Sequence, residues 1–352
     1  MKEIIFYQPI ISPHQVPMLN EIVNKGADVT IVILNESDRH ETSGWGDEKL
    51  DERIKVMSNV TFDQLTVIFL STPFNIISGL CICTNTRFLM KLARKNKTKV
   101  YIYSEGGSSE PLTLVPRWIK NFFYATLYKR NISKVFAIGD KGEKWFRSLG
   151  IDSNKIVPFK YYTKIPQKIV PKVEVLDSHV ISIVFLGRLV KGKGVIKLID
   201  LISKSRWDVN LNIYGDGYLA EEIIERVKTL NLKERVHMMG MISNSKIADV
   251  FQNASILALI NDGDEGWGAV VNESLLYGVP VICSEKTGAS SLLRSNSNFG
   301  CVLNEISVSE FDDAIEKCIS LDKDVIAQQA IRSIHPSVGC EIIYREVGFD
   351  NS

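Results

Sequence analysis

The sequence predicts an α/β protein of two doubly wound, Rossmann-like domains, each built on a parallel sheet with helices on both faces. Short apolar runs alternate with helical patterns in both halves of the chain. A length of 352 residues exceeds what one simple core accommodates. A stretch containing prolines and charges separates the halves. We expect the two domains to face a central cleft lined by the carboxyl ends of their strands.

The first domain is predicted over residues 1–163. Its elements follow from short apolar runs bounded by turn residues and from apolar positions at helical spacing. Strands are predicted at residues 3–7, 28–34, 66–70, 99–103 and 134–138. Helices are predicted at residues 16–24, 86–95, 116–128 and 141–149.

The second domain is predicted over residues 180–335, after a linker at 164–179 that contains Pro166 and Pro171. Its strands are predicted at residues 181–186, 209–214, 236–239, 255–260 and 279–283. Its helices are predicted at residues 195–203, 219–229, 245–252 and 270–277. A tail at 336–352 is expected to pack back on the first domain.

The composition is that of a folded protein, with 45% hydrophobic and 24% charged residues. The six cysteines have no zinc-ligand spacing, and the sequence shows no secretory segment. The longest apolar stretch, residues 69–83, is interrupted by proline, glycine and polar residues and does not form a membrane span. We therefore expect reduced cysteines and a cytoplasmic protein.

Residues 87–147 are strongly basic, with fourteen Lys and Arg against four Asp and Glu. Within them, the aromatic residues Trp118, Phe122 and Phe123 lie close to several cations. This combination favours peripheral contact with a membrane of anionic lipid through residues 87–147. The core side of an ordinary helix is the preferred explanation of the aromatic residues, and a solvated, Lys-rich surface explains the charges equally well. Nucleic-acid binding is not expected, because no recognition module is present.

The segment 264–274 places Glu265 and Glu273 around a glycine turn that follows an apolar strand. A helix opening near Ala269 would leave Glu265 in the loop and set Glu273 one turn into the helix. The start of such a helix offers backbone N–H groups to an anion. The segment therefore suits a ligand with a negative end and a polyhydroxyl end.

The loop Gly187–Gly194 nearly matches the phosphate-binding loop of nucleoside triphosphatases. It fails at its last position, because Gly194 stands where Ser or Thr would hold magnesium. A triphosphatase is therefore not expected. Two interpretations remain: a phosphate-binding loop that carries Arg188 and Lys193, or a glycine-rich turn with surface charges. The turns that begin at Gly215 and Gly240 end two further strands at the same sheet edge.

Taken together, residues 180–295 resemble the nucleotide-sugar-binding domain of the family 4 retaining glycosyltransferases, which have the two-domain GT-B fold. The loop 187–194, the Gly215 and Gly240 turns, the two glutamates and the segment 277–282 occur in the family's order and approximate spacing. The first half of the chain resembles the family only loosely.

The resemblance implies that Arg188 and Lys193 bind the donor diphosphate, that Glu273 binds the ribose and that Glu265 binds the donor sugar. Backbone groups of 266–271 would line the phosphate and sugar, and residues near Gly240 would hold the base. The complete predicted donor site is Arg188, Lys193, Gly240, Ile242, Gly266, Trp267, Gly268, Ala269, Val270 and Glu273.

The resemblance also implies retention of anomeric configuration without a metal ion or other cofactor. The predicted catalytic residues are Glu265, Glu105 and His14. Many family members have a histidine near the position of Glu105, and a glycine-rich loop where this chain has the proline-bearing segment 8–17. Glu105 as a simple loop cap is an equal alternative.

The sequence therefore predicts a glycosyltransferase that moves a UDP- or GDP-linked sugar to a glycan or lipid-linked acceptor during synthesis of cell-surface polysaccharide. It would be cytoplasmic or peripheral on the inner face of the plasma membrane. A nucleotide-sugar epimerase or hydrolase of the same fold, and a non-catalytic nucleotide-sugar-binding subunit, are the alternatives. A glycosidase with paired carboxylates is disfavoured by the neighbouring phosphate-suited loop.

Overall fold

The structure is a computed structural model that describes residues 2–34, 49–107, 111–166, 180–243, 246–263 and 265–349. The chain divides into two compact units. Unit 1 comprises residues 1–164 and 334–352, and unit 2 comprises residues 165–333. Each unit is a parallel sheet with helices, which confirms the predicted fold class. Most of the predicted linker, from residue 167 to 179, lies outside the described residues.

Unit 1 contains a seven-stranded parallel sheet. Its strands are β1 (Glu3–Gln8), β2 (Asp28–Ile33), β3 (Lys55–Met57), β4 (Asn75–Ser78), β5 (Val100–Ser104), β6 (Ile132–Ile138) and β7 (Ile156–Phe159). Their spatial order is β3-β2-β1-β4-β5-β6-β7. The order reverses between β1 and β4, which is the switch point of a doubly wound sheet.

The helices of unit 1 cover both faces of this sheet. They are α1 (Val16–Asn24), α2 (Phe62–Ser71), α3 (Thr84–Asn96), α4 (Pro111–Tyr128), α5 (Gly139–Ser148) and, from the end of the chain, α13 (Pro336–Val347). Neighbouring β1 residues such as Ile4 and Ile5 point to opposite faces, and both are fully buried. One core cluster joins the sheet to α2, α3, α4 and α5.

The strand predicted at residues 66–70 is wrong, because these residues lie in α2. Thr61 and Gln64 form a capping box, in which each side chain accepts the backbone N–H of the other. The helix buries Leu65 and Phe69, which lie four positions apart on one face. A short apolar run fits a strand and a helix equally well, and here the capping box decides for the helix.

The last helix, α13, belongs to unit 1 although it follows unit 2 in the chain. The Tyr344 hydroxyl donates to the carbonyl oxygen of Ile22 in α1 at 3.0 Å. Lys134 Nζ of β6 lies 2.9 Å from a carboxylate oxygen of Glu346. These contacts join α13 both to a helix and to a strand of the first 164 residues.

Unit 2 contains a six-stranded parallel sheet with seven helices in its described part. The strands are β8 (Ile181–Leu186), β9 (Val209–Tyr214), β10 (Val236–Gly240), β11 (Ile256–Leu259), β12 (Val281–Ser284) and β13 (Gly300–Leu303). The helices are α6 (Val195–Lys204), α7 (Ala220–Thr229), α8 (Ile247–Gln252), α9 (Val270–Leu276), α10 (Ser290–Ser295), α11 (Val308–Ile319) and α12 (Lys323–Ile334).

The strand order of unit 2 is β10-β9-β8-β11-β12-β13. It repeats the arrangement of the first six strands of unit 1, with the switch point between β8 and β11. The loops after these strands lie at one edge of the sheet, where the sequence predicts the donor site. The elements that the sequence analysis missed are β3, β4, β7, β13 and helices α10 to α13.

All six cysteines are free thiols, four of them buried. Within the part of the chain that the structure describes, no helix is both long enough and apolar enough to cross a membrane.

Candidate functional site

The loops at the carboxyl edge of the unit 2 sheet are hydrogen-bonded to one another. The Leu189 N–H, after β8, donates to the carbonyl oxygen of Asp216, after β9, at 2.8 Å. The Gly263 N–H, after β11, donates to the carbonyl oxygen of Gly192 at 3.1 Å. Three strand ends are therefore tied into one surface, and the residues on it have fixed relative positions.

Gly194 explains why the loop after β8 departs from the triphosphatase pattern. It precedes α6 with φ of +71°, a conformation that residues with a Cβ adopt only at an energetic cost. A Cβ at this position would overlap the carbonyl oxygen of Ile260. Serine or threonine therefore does not fit, and the loop passes close against the end of β11.

Gly215 allows a second close approach at the same edge. Its φ is +141°, and a Cβ there would overlap the carbonyl oxygen of Gly187. Its N–H donates to the carbonyl oxygen of Gly240 at 2.9 Å. The three glycines that end β8, β9 and β10 thus lie in successive contact, as the sequence analysis expected from their common edge.

Lys193 and Glu265, predicted for the diphosphate and the sugar, form an ion pair between Nζ and Oε2. The side chains remain 22% and 19% exposed, so the pair lies at the surface of the edge but is partly shielded. The backbone N–H of Glu265 donates to the carbonyl oxygen of Lys286 at 3.3 Å, which fixes the loop that carries the carboxylate. The ion pair links the loop after β8 to the loop after β11.

Glu273 differs from Glu265 in that its side chain makes no hydrogen bond or ion pair with any described residue. It lies in the first turn of α9, which begins one residue after Ala269, near the predicted position. Burial raises the pKa of its carboxyl group to about 7, because the charged form loses hydration without gaining a partner. Its oxygen atoms are therefore available to the hydroxyl groups of a ligand.

The remaining predicted donor residues lie along the same edge. Arg188 is exposed, and its side chain makes no hydrogen bond or ion pair with a described residue. Gly240, which ends the edge strand β10, is exposed, and Ile242 is half-buried. Gly266, Gly268, Ala269 and Val270 lead into α9 and are half-buried.

Trp267 takes a structural position instead of lining the edge with its ring. It is 1% exposed, and its indole N–H donates to the side-chain oxygen of Asn272 at 2.9 Å. The carbonyl oxygen of Trp267 accepts the N–H of Ala289 at 2.7 Å. The buried ring fixes the turn between β11 and α9, so only backbone groups of this residue reach a ligand.

The two predicted catalytic residues of unit 1 meet through a third residue, Tyr161. The Tyr161 hydroxyl donates to Oε1 of Glu105, which follows β5. The His14 ring stacks on the Tyr161 ring, with centroids 5.7 Å apart and an interplanar angle of 18°. His14, Tyr161 and Glu105, here called the Tyr161 cluster, are all half-buried at the carboxyl edge of the unit 1 sheet.

Burial lowers the pKa of His14 to about 4, so its imidazole is neutral at physiological pH. Gln8, at the end of β1, is 3% exposed, and its Nε2 has no hydrogen-bond partner among the described residues. The edge of unit 1 therefore carries a neutral histidine, a carboxylate and a buried amide. Their roles in catalysis stay predictions.

The sequence analysis missed Tyr161 because it also missed β7, the strand that ends two residues earlier. The signal was available: residues 156–159 are mostly apolar and are followed by a Tyr-Tyr pair. Proline at position 158 made the run a poor strand candidate. It is tolerated because β7 is the edge strand of its sheet.

Residues 167–332 match the family model of glycosyl transferases group 1. This match covers nearly all of unit 2. It contains every predicted donor residue and Glu265, and it confirms the predicted resemblance to the family 4 glycosyltransferases. The remaining predicted catalytic residues, Glu105 and His14, lie outside it.

A curated relative from Campylobacter jejuni is the N-acetylgalactosamine-N,N'-diacetylbacillosaminyl-diphospho-undecaprenol 4-alpha-N-acetylgalactosaminyltransferase. It is 27% identical over 163 residues, which are 45% of this chain and 42% of the relative. The matched region thus spans less than half of the relative's own length.

Two solved structures match the whole chain in fold. The apo form of the lipopolysaccharide outer core galactosyltransferase WaaB has a TM-score of 0.72 and 17% identity, covering 99% of this chain and 100% of that one. Anabaena HepE in complex with UDP has a TM-score of 0.71 and 15% identity, covering 99% and 100%. At these identities the likeness establishes the fold of both units.

Proposed function

Since the chain carries a glycosyl transferases group 1 domain over residues 167–332, we propose that it transfers a sugar from a nucleotide-sugar donor to a glycan or lipid-linked acceptor. The proposed process is the synthesis of cell-surface polysaccharide or lipopolysaccharide. Unit 2 binds the donor, and unit 1 receives the acceptor.

The observation that carries this proposal is the contrast between two glutamates at one sheet edge. The Glu265 side chain is paired with Lys193, whereas the half-buried Glu273 side chain has a raised pKa and makes no hydrogen bond or ion pair with a described residue. A carboxyl group with a raised pKa and no such partner is typical of a ligand site. Ribose or sugar hydroxyls would supply the hydrogen bonds that Glu273 lacks.

The proposed donor is a UDP-linked sugar. The edge offers Arg188, exposed and without a partner among the described residues, and Lys193, whose ammonium reaches a carboxylate. Both are suited to a diphosphate. The UDP bound to HepE, a protein with the same fold, supports this choice of base.

The proposed chemistry is departure of the nucleoside diphosphate with stabilisation by fixed cations. As the glycosidic bond to phosphate breaks, negative charge develops on the leaving diphosphate. One cation about 4 Å away contributes roughly 4 kcal/mol at an effective dielectric near 20. Arg188 and Lys193 would thereby stabilise the leaving diphosphate, as a metal ion does in other transferases. Anomeric configuration is retained, with the leaving phosphate accepting the acceptor's proton.

The Lys193–Glu265 pair implies an exchange of partners when the donor binds. Lys193 would turn from Glu265 to the diphosphate, and the released Glu265 carboxylate would accept hydroxyls of the donor sugar. In the absence of the donor, the Glu265 carboxylate would occupy the place of the diphosphate at Lys193. The Lys193 ammonium would occupy the place of the sugar hydroxyls at Glu265. This predicts opposite effects on UDP binding when each partner is removed.

The test is isothermal titration calorimetry with UDP, which has the ribose and the diphosphate of the donor but not the sugar to be transferred. Lys193→Ala should weaken binding by tenfold or more, because one charge-assisted contact is lost. Glu265→Gln should tighten it by about threefold to tenfold, because Lys193 no longer shares its charge with a carboxylate. Lys197→Ala is the matched control: Lys197 of α6 pairs with Asp262 of the loop after β11 at 3.4 Å and should have little effect.

Transfer is measured in parallel with a panel of UDP-sugars. Glu265→Gln should lose transfer although it binds UDP more tightly. Equal UDP affinity for wild type, Lys193→Ala and Glu265→Gln contradicts the donor site. Release of free sugar from wild type without an acceptor indicates a hydrolase, and tight donor binding without turnover indicates a binding subunit.

A further inference from the structure

Helix α4 of unit 1 has an exposed apolar face. Val115, Ile119, Phe122 and Phe123 are 59%, 57%, 41% and 61% exposed. Their spacing places all four on one side of the helix. Four large apolar side chains in one stripe form an apolar patch of a kind that soluble proteins rarely expose to water.

The opposite face of α4 is anchored in the core, so the exposed stripe has a fixed position. Ala125 and Tyr128 are buried in the cluster beneath the helix. Trp118 packs partly against this cluster, and its indole N–H donates to the side-chain oxygen of Ser148 at 3.1 Å. Its ring stacks on Phe122 with centroids 5.0 Å apart, which holds one member of the stripe in place.

The charges around the stripe are all positive on the helix itself. The 18 residues of α4 include no Asp or Glu, and their two cations, Arg117 and Lys120, are exposed. Lys129 and Arg130 follow directly after the helix and are also exposed. An exposed apolar stripe on a helix whose only charged residues are cations is complementary to a surface that is apolar inside and anionic outside.

We propose that this face of α4 binds the surface of an anionic lipid bilayer. The stripe of Val115, Ile119, Phe122 and Phe123 enters the boundary between acyl chains and headgroups, and the positive charges of Arg117 and Lys120 are attracted to lipid phosphates. The helix lies parallel to the surface, because the stripe runs along its length. Of the two interpretations that the sequence left open, the exposure of the stripe favours the membrane surface.

The inference is tested by flotation of the full-length protein with vesicles. The probe is a vesicle of phosphatidylglycerol and phosphatidylcholine, compared with phosphatidylcholine alone. Wild type should bind the anionic vesicle at least tenfold more tightly than the neutral one at low salt. The double variant Ile119→Ser/Phe123→Ser should lose about tenfold or more of this binding, because half of the apolar stripe is removed.

The matched control is Val67→Ser/Leu70→Ser on α2. These residues are 71% and 50% exposed in the same unit, but α2 carries Asp63 and no cation. This variant should bind anionic vesicles as wild type does. Circular dichroism and thermal unfolding show whether each variant keeps its fold.

Charge is tested separately with Arg117→Gln and Lys120→Gln. Each should weaken binding to anionic vesicles by about fivefold and leave binding to neutral vesicles unchanged. Three results overturn the proposal: no preference of wild type for anionic vesicles, equal binding by Ile119→Ser/Phe123→Ser, or a wild-type dimer that this variant dissociates. Lys193→Ala, impaired in the donor site, should bind vesicles normally, so this inference and the proposed function fail independently.

Discussion

The two units share one strand order, yet their functional edges are built by different means. In unit 2 the edge depends on glycines that let backbone segments touch, as at Gly194 and Gly215. In unit 1 the edge depends on side chains from loops that follow separate strands. His14 and Glu105 both contact Tyr161 there. Two units with the same fold therefore form their edges differently. Backbone contacts determine the edge of unit 2, and side-chain contacts determine the edge of unit 1.

This difference offers a reason why the family-model match falls on unit 2. Where two backbone segments touch, only glycine fits, so these contacts appear in the sequence as a pattern of glycines. Side-chain contacts such as that between Tyr161 and Glu105 can be made by several residue types from different strands. Four predictions test the comparison.

The largest effect is expected for Gly194→Ser, which restores the triphosphatase pattern. The new Cβ overlaps the carbonyl oxygen of Ile260 in a left-handed backbone conformation. Unit 2 should lose more than about 3 kcal/mol of unfolding free energy or fail to fold. Gly240→Ala is the control: its φ is +73° but no atom lies within 4 Å of the new Cβ, so about 1 kcal/mol is expected. Urea unfolding measures both, and equal losses would refute the close-contact explanation.

A catalytic effect without a binding effect is expected for Tyr161→Phe. The substitution keeps the ring that stacks on His14 and removes the hydroxyl that donates to Glu105. Transfer should fall about tenfold to a hundredfold, because Glu105 loses its orientation. UDP affinity should stay at the wild-type value, because the proposed donor site is in unit 2. Glu105→Gln is the companion variant. An unchanged kcat for both would remove the Tyr161 cluster from the mechanism.

The same substitution in the two units should have unequal effects on stability. Trp267→Phe removes a fully buried N–H donor and leaves the Asn272 oxygen without it, at a cost of about 1–3 kcal/mol. Trp118→Phe removes a donor to Ser148 at the surface, where water replaces it, and should cost under about 1 kcal/mol. Thermal unfolding of both variants gives the comparison. A larger loss for Trp118→Phe would contradict the assigned burial.

The smallest effect is a pH dependence of stability that arises from Glu273. Its pKa is raised from 4.5 to about 7 in the folded state, so the native state binds the proton more tightly than the unfolded state. The resulting stability is complete below about pH 4.5 and is lost as pH rises through about 7. Glu273→Gln should abolish this loss, worth roughly 1–3 kcal/mol. Melting temperatures at pH 5 and pH 8 for both proteins measure it. Identical pH profiles would show that Glu273 titrates normally.

The sequence predicted most of both sheets because their central strands are apolar runs bounded by turns. It identified the unit 2 edge because its residues lie in short loops directly after strands, where position along the chain determines position in space. The segment 66–70 shows the limit of this reasoning: an apolar run alone does not distinguish a strand from a buried helix. Only the capping box formed by Thr61 and Gln64 identifies this segment as part of a helix.

The partnerships within the site could not be predicted, because they depend on distances between loops. The sequence places Glu265 in a loop and Glu273 in a helix, but it does not show that only Glu265 is paired with Lys193. Similarly, Trp267 sits among residues predicted to bind the donor, and only the structure shows that its ring is buried. The burial of a side chain and its ion-pair partner depend on how the whole unit packs. The spacing of residues along the sequence does not predict them.

The position of α13 has a consequence for how the protein is made. Unit 1 includes residues from both sides of unit 2, so a ribosome completes the later unit before it releases the helix that finishes the earlier one. Gly339 of this helix lies directly against the ring of Tyr162, the neighbour of Tyr161. The Tyr161 cluster would therefore be among the last parts of the molecule to settle during synthesis. Under the proposed function, a nascent chain would therefore be able to bind the donor in unit 2 before the Tyr161 cluster is complete.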